Sequence, residues 1–298
     1  MSVSSSGLTK LGKLEQLSPL VFRILGCNPG PFTLQGTNSY LVGSGPQKIL
    51  VDTSSPASPE YVANLGLALR QCTPPASIAA VVCTHWHLDH VGCVAEALKL
   101  VEAGSRTPSV YKFPREGEDN SAIAPHHYSP LSDGQLLTVQ GATLKVLHTP
   151  GHTTDHVTLH LAEEDAVFCG DAILGEGSTV FEDLYTYMHS LQLLLDLRPK
   201  RLYPGHGPVV EDGEGKIREY IQHRMERENQ VLSALRVVYP SSRSLTQLVS
   251  AIYPELDAKL ELAAGRSVQQ HLGKLEKEGR VVELEDATFA LAHPPSSL

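Results

Sequence analysis

The sequence predicts an α/β layered fold, one large domain with a smaller one behind it. Three observations lead there. Short apolar runs of strand composition alternate with segments of helical periodicity through most of the 298 residues. Several of those runs close in a His or an Asp beside a turn-forming Gly or Pro, so a sheet built from them delivers polar side chains along one rim. No G-x-G-x-x-G segment opens a helix, so the layers are not built for a dinucleotide. The expected divisions are a tail over 1–18, a main domain over 19–227 and a C-terminal domain over 228–298.

Composition narrows the classes further. The chain is 41 % hydrophobic and 19 % charged, ordinary for a globular protein, and no apolar run approaches 18 residues, so no membrane span is expected. Five cysteines without a CxxC pair (27, 72, 83, 93 and 169) indicate neither a disulfide framework nor a thiolate zinc site. The net charge of −9 belongs to residues 1–214, with 13 Lys+Arg against 22 Asp+Glu, while 215–298 carry 11 of each. No basic face of the kind that neutralises phosphates announces itself. Residues 1–13 are serine-rich and basic, faintly like a transit segment and equally like a frayed tail.

In chain order, residues 20–40 are dense in turn formers: Gly26-Cys27-Asn28-Pro29-Gly30-Pro31 and Gln35-Gly36-Thr37-Asn38. Strands over 39–42 and 48–52 flank Gly43-Ser44-Gly45-Pro46 as a hairpin. Asp52, at the end of the second, can accept a hydrogen bond from a ligand histidine, or simply shape the turn. A helix over 59–69 and Pro74-Pro75 lead to a strand over 79–83. Thr84-His85-Trp86-His87-Leu88-Asp89-His90 follows, ahead of helical apolar spacing over 91–101. While the backbone is extended, His85 and His87 share a side and converge on one metal. Asp89 and His90, past the turn, can face a second; the plain structural alternative makes Asp89 a helix N-cap.

Residues 103–135 read as an irregular surface excursion, with His126 and His127 as exposed loop residues. Strands over 143–147, 157–161 and 166–169 follow; the first closes into His148-Thr149-Pro150-Gly151-His152, the last into Gly170-Asp171. A strand over 201–203 leads into Pro204-Gly205-His206, and helices occupy 182–197 and 214–238. The C-terminal part reads as three helices (244–253, 258–264 and 267–278) and a hairpin (280–284 with 288–291), a winged-helix order. Lys274, Lys277 and Arg280 fall where such a module meets nucleic acid; its balanced charge suits a protein-packing role equally.

Seven candidates thus gather: His85, His87, Asp89, His90, His152, Asp171 and His206. Imidazoles and carboxylates suit Zn²⁺ at about 2.0–2.2 Å. Their order and spacing resemble the H-x-H-x-D-H, Gly-His, Asp, His series of the metallo-β-lactamase superfamily. That resemblance implies an αβ/βα sandwich, a catalytic domain with two Zn²⁺ at one edge. His85, His87 and His152 would hold the first and Asp89, His90 and His206 the second, with Asp171 bridging. A metal-bridging hydroxide would be the nucleophile, with Asp89 and Asp171 as the catalytic carboxylates.

An aspartate at 171, where true zinc β-lactamases usually carry cysteine, points to the esterase, thioesterase and nuclease branches. Residues 26–38, Gly175-Glu176-Gly177 and Val180-Phe181-Glu182-Asp183-Leu184-Tyr185 resemble the β-lactamase-like protein 2 subfamily, related to glyoxalase II and known as mitochondrial endoribonucleases for single-stranded RNA. The implied function is RNA cleavage in the mitochondrial matrix, with the cytoplasm as the other compartment. His156 and Tyr185 are the side chains nearest in sequence that could protonate a leaving group, and His156 suits an outer structural position better. The alternative substrate is a thioester of an acyl carrier protein or of glutathione. A binding module without catalysis would be expected to have lost a ligand, and none of the seven is missing. One departure stands out: Asp52-Thr53-Ser54 replaces the family's Asp-Thr-Gly, so that turn is made without glycine's access to positive φ.

Overall fold

The computed structural model describes residues 7–101, 107–115, 128–257 and 260–294. A first sheet takes its strands in chain order: β1 (Leu14–Gln16), β2 (Val21–Leu25), β3 (Asn38–Val42), β4 (Gln47–Val51), β5 (Ser77–Cys83), β6 (Ser109–Lys112) and β7 (Ser129–Pro130). It is antiparallel from β1 to β4 and parallel from β4 to β7. Helices α1 (Pro59–Gln71), α2 (Leu88–Val91) and α3 (Val94–Lys99) belong to this half. The second sheet holds β8 (Leu136–Val139), β9 (Ala142–His148), β10 (Val157–Leu161), β11 (Ala166–Gly170) and β12 (Arg201–Pro204), in the order β12-β11-β10-β9-β8. Helix α4 (Leu184–Asp196) and the first half of α5 (Gly213–Arg236) lie on its outer side.

Strand alternation builds the layers. Tyr40, Val42, Ile49 and Val51 point inward to meet Val146, Leu159 and Phe168 of the other sheet. Their neighbours Leu41 and Leu50 point outward to Tyr61 and Leu65 of α1, and Val167 and Cys169 to Leu191 of α4 and Ile217 of α5. The result is the expected αβ/βα sandwich. All five cysteines are free, with Cys83 and Cys169 buried.

In this domain four details differ from the sequence reading. The turn-rich stretch over 20–40 contains β2, concealed by a charged residue at a buried position: Arg23 is sealed under the sheet edge by an ion pair with Glu15 of β1. The helix expected over 91–101 is two, α2 and α3, because the His90 carbonyl accepts from both the backbone N–H and the hydroxyl of Thr53 instead of continuing the helix. A side chain at Gly92 would meet Pro56 Cδ at 2.3 Å, so the break needs glycine. The excursion over 103–135 carries β6 and β7; His126 and His127 lie outside the described residues. The turn after β4 takes its positive φ at Asp52 (56°), while Ser54 donates to Gly26 O at 2.7 Å.

Helix α5 runs through position 228 and links two cores, Ile217 and Tyr220 in one and Val231 and Leu235 in the next. The latter core belongs to β13 (Arg243–Ser244), α6 (Leu245–Ile252), α7 (Glu261–Lys277), β14 (Val281–Glu283) and β15 (Thr288–Leu291). The expected second and third helices of this part are one, α7: Ala264, Val268, Leu272 and Leu275 keep one buried stripe across Gly265-Arg266-Ser267.

His271 of α7 is 1 % exposed, and among the described residues its Nδ1 has no hydrogen-bond partner. Burial, with the cations of Arg224, Arg227 and Lys274 behind it, pushes its pKa down to about 3. An unfolded imidazole takes its proton near pH 6.5, so the stability tied to this side chain is complete above that pH and drains as pH falls. Between pH 7 and pH 5 the wild type should lose about 2 kcal/mol more than His271→Leu in urea unfolding.

Candidate metal centre

The two sheets end at one rim, and strand ends there bring the candidate ligands together. His85 and His87 follow β5, Asp171 follows β11, His206 follows β12, and His152 lies in the turn between β9 and β10. Asp89 and His90 sit in α2; His87, not Asp89, is the residue before its first turn. The seven form two groups, His85, His87, His152 and Asp171 in one and Asp89, His90 and His206 in the other. In each group the facing donor atoms all lie within 4.8 Å of one another.

In the first group His87 Nδ1 is 2.9 Å from His85 Nε2 and 3.1 Å from His152 Nε2. In the second, His206 Nε2 is 3.2 Å from Asp89 Oδ2 and 3.3 Å from His90 Nε2. Asp171 reaches both: Oδ2 is 3.7 Å from His152 Nε2 and 3.4 Å from His206 Nε2, and Oδ1 is 3.4 Å from His90 Nε2. A side chain at Gly205 would meet Asp171 Oδ1 at 2.4 Å, so only glycine lets the His206 loop close on the aspartate.

The tautomers can be followed outward from the centre. Asp52 accepts from Thr84 N (2.7 Å), Thr84 Oγ1 (2.8 Å) and His90 Nδ1 (2.8 Å). With its proton on Asp52, the Thr84 hydroxyl can only accept from His85 Nδ1, at 3.0 Å. His152 Nδ1 donates to Val180 O at 2.7 Å. Three imidazoles thus spend their outer N–H on the protein and turn their Nε2 atoms inward, where they crowd together with a carboxylate. Asp171 Oδ1 is buried with no hydrogen-bond partner among the described residues. A donor set of this kind fits divalent cations.

In the first group the local electrostatics agree; in the second, Asp89, Asp171 and Asp52 overcome burial and hold His90 well above its ordinary pKa, so a cation bound there would displace a proton. Burial and the neighbouring imidazoles keep His85 well below its ordinary pKa and lower His87 to about 4, so both are neutral lone-pair donors. Burial would raise the Asp171 carboxyl, but His206 and His90 outweigh it and hold it well below the usual carboxylate range. In the same way Asp171 and Asp89 overcome burial and raise His206 to about 9.

The outer candidates separate. His156 is buried, with Nδ1 3.1 Å from Thr149 Oγ1, and its Nε2 accepts the Asp171 backbone N–H at 3.1 Å. It is a brace under Asp171, with no proton directed at the rim. Tyr185 lies against the His189 ring and the Lys277 ammonium, and none of its described contacts is to the seven. Lys274, Lys277 and Arg280 are committed to acids: Lys274 and Arg280 share Glu228, at 2.5 and 2.6 Å, and Lys277 pairs with Asp183.

Other supports carried no sequence signal. Asn38 donates to Pro204 O (3.0 Å) and Gly207 O (2.8 Å), gripping the His206 loop. Lys112 and Asp155, both buried, pair at 2.6 Å beneath the turn that bears His152.

Residues 32–206 match the model of the Metallo-beta-lactamase superfamily, and residues 244–289 that of the Beta-lactamase associated winged helix domain. The chain belongs to the metallo-β-lactamase superfamily. Within the superfamily it is 45 % identical to the Beta-lactamase-like protein 2 homolog of Drosophila melanogaster, over 96 % of this chain and 98 % of that one. It is 40 % identical to an Atrochrysone carboxyl ACP thioesterase of Claviceps purpurea, over 84 % and 77 % respectively. A beta-lactamase domain protein from Burkholderia ambifaria shares the fold, with a TM-score of 0.74 at 19 % identity over 93 % of each chain. The protein is accordingly a metal-binding hydrolase of this superfamily with a C-terminal winged helix.

Two outcomes follow from the supports. Asp52→Asn should weaken Zn²⁺ binding by about 10–100-fold in competition with a chelating dye, since it unlocks His90 and, through Thr84, His85. Lys112→Met should cost about 3–5 kcal/mol in urea unfolding, because Asp155 is left charged and buried.

Proposed function

We propose that the protein is a Zn²⁺-dependent endoribonuclease of single-stranded RNA, working in the mitochondrial matrix. The observation that carries the reading is the reach of Asp171 into both ligand groups. Two cations bound there would supply Lewis acidity at the scissile phosphate and a nucleophile at neutral pH. His85, His87, His152 and Asp171 would hold one, and Asp89, His90 and His206, with Asp171 in reach, the other. Asp52, Thr84 and Val180 O keep three of those imidazoles in the tautomer that presents Nε2 inward. RNA as substrate is supported by the resemblance of 26–38 and 175–185 to the endoribonuclease subfamily. The 45 % identity to a Beta-lactamase-like protein 2 homolog over nearly the whole chain supports the same subfamily.

A thioester is the second reading, favoured by the similarity to acyl-carrier-protein thioesterases and by C-terminal bases already spent on ion pairs. Purified protein should cut labelled single-stranded RNA and leave a panel of acyl thioesters intact; fast thioester turnover with RNA uncut would reverse the assignment. Asp171→Ala should bind fewer than two Zn²⁺ and retain below about one hundredth of the cleavage rate, and unchanged cleavage would dismiss the shared-carboxylate centre.

A further inference from the structure

The stretch 178–184 touches the metal centre on one side and the C-terminal helices on the other. Inward, Val180 O holds His152 Nδ1, and Thr179 Oγ1 donates to the Asp171 carbonyl at 2.6 Å. The Glu182 backbone N–H donates to Gly151 O at 2.7 Å, which ties the stretch to the turn bearing His152. Outward, Arg224 of α5 is 9 % exposed; its Nη2 donates to Ser178 Oγ at 2.7 Å and Thr179 O at 3.2 Å, and its guanidinium lies 4.9 Å from the Phe181 ring centre. Gln270 of α7 donates to Glu182 O at 3.0 Å and accepts the Leu184 N–H at 3.2 Å.

We propose that α5 and the winged-helix α7 together clamp the metal centre, with Arg224 and Gln270 as positioning residues that fix His152 and Asp171 through the 178–184 stretch. A ligand imidazole is aimed by the acceptor of its other N–H. Here that acceptor is the Val180 carbonyl, a backbone group whose direction depends on the peptide units at either side. Arg224 fixes the unit before it and Gln270 the chain a turn further on, so the grip of α5 and α7 is transmitted to a ring they never touch. The basic residues of this domain then serve cohesion: Lys277, paired with Asp183, closes the same seam. The inference rests on the metal centre and is independent of the substrate.

The test is Zn²⁺ affinity and stoichiometry of the full chain, with the Co²⁺ absorption spectrum as reporter of ligand geometry. Arg224→Met keeps the side-chain stem over Phe181 and removes the donors; it should weaken one Zn²⁺ equivalent about tenfold and alter the Co²⁺ bands, while Arg224→Lys recovers most of both. Gln270→Ala, at a half-buried position, should weaken it about threefold with an unchanged melting temperature. Wild-type affinity and spectrum in Gln270→Ala and in folded Arg224→Met would overturn the proposal, and Gln270→Ala decides alone if Arg224→Met does not fold. A wild type that binds no Zn²⁺ would instead overturn the metal centre itself.

Discussion

The carboxylate of Asp52 is the joint on which the site turns. Three hydrogen bonds reach it, two from Thr84 and one from His90. They bind the end of β4 to the end of β5 and to α2, so the H-x-H-x-D-H segment inherits the rigidity of the sheet. The backbone at Asp52 sits at φ 56°, which costs a residue other than glycine on the order of 1 kcal/mol. The bonds it receives are charge-assisted and offset that cost. Ser54, where the family usually has glycine, is accommodated because the unusual dihedral falls two residues earlier and its hydroxyl has Gly26 O as partner.

Around this joint, like groups are crowded in a way that packing alone would not favour. In the first group imidazole nitrogens meet at about hydrogen-bond distance, and Asp171 lies among them. The outer layer does the organising: Thr84, Val180 O, His156, Asn38 and the buried Lys112–Asp155 pair each fix one ligand or one ligand-bearing turn. That layer extends through Arg224 of α5 to Gln270 of the winged-helix domain, which gives a domain with no candidate ligand among its described residues a place in the architecture of the centre.

The layers of the sandwich were legible because β3, β4 and β11 are buried on both faces and so read as short apolar runs. What escaped the pattern had physical reasons. Arg23 made β2 look like a loop until Glu15 supplied its partner. Thr53 breaks the helix after the motif by capturing a carbonyl from a strand far back in the chain. Gly265 suggested a helix boundary that the buried stripe of α7 overrides. Lys274, Lys277 and Arg280 looked like a nucleic-acid edge because, besides the nearby Glu278, they pair with Glu228 and Asp183, more than 40 residues away in the chain.

By itself the sequence singled out the candidate ligands, and the structure brings all seven together. Three histidines and a carboxylate within six positions, followed by His152, Asp171 and His206 at strand ends, leave little else for such residues to do. It also set the fold class, since local alternation and helical spacing are short-range properties. Only the tertiary structure decided how those ligands are held. The acceptor for each outer N–H, the neutral brace at His156 and the seam along 178–184 join residues distant in the chain, and which of them meet is settled by sheet order and helix packing.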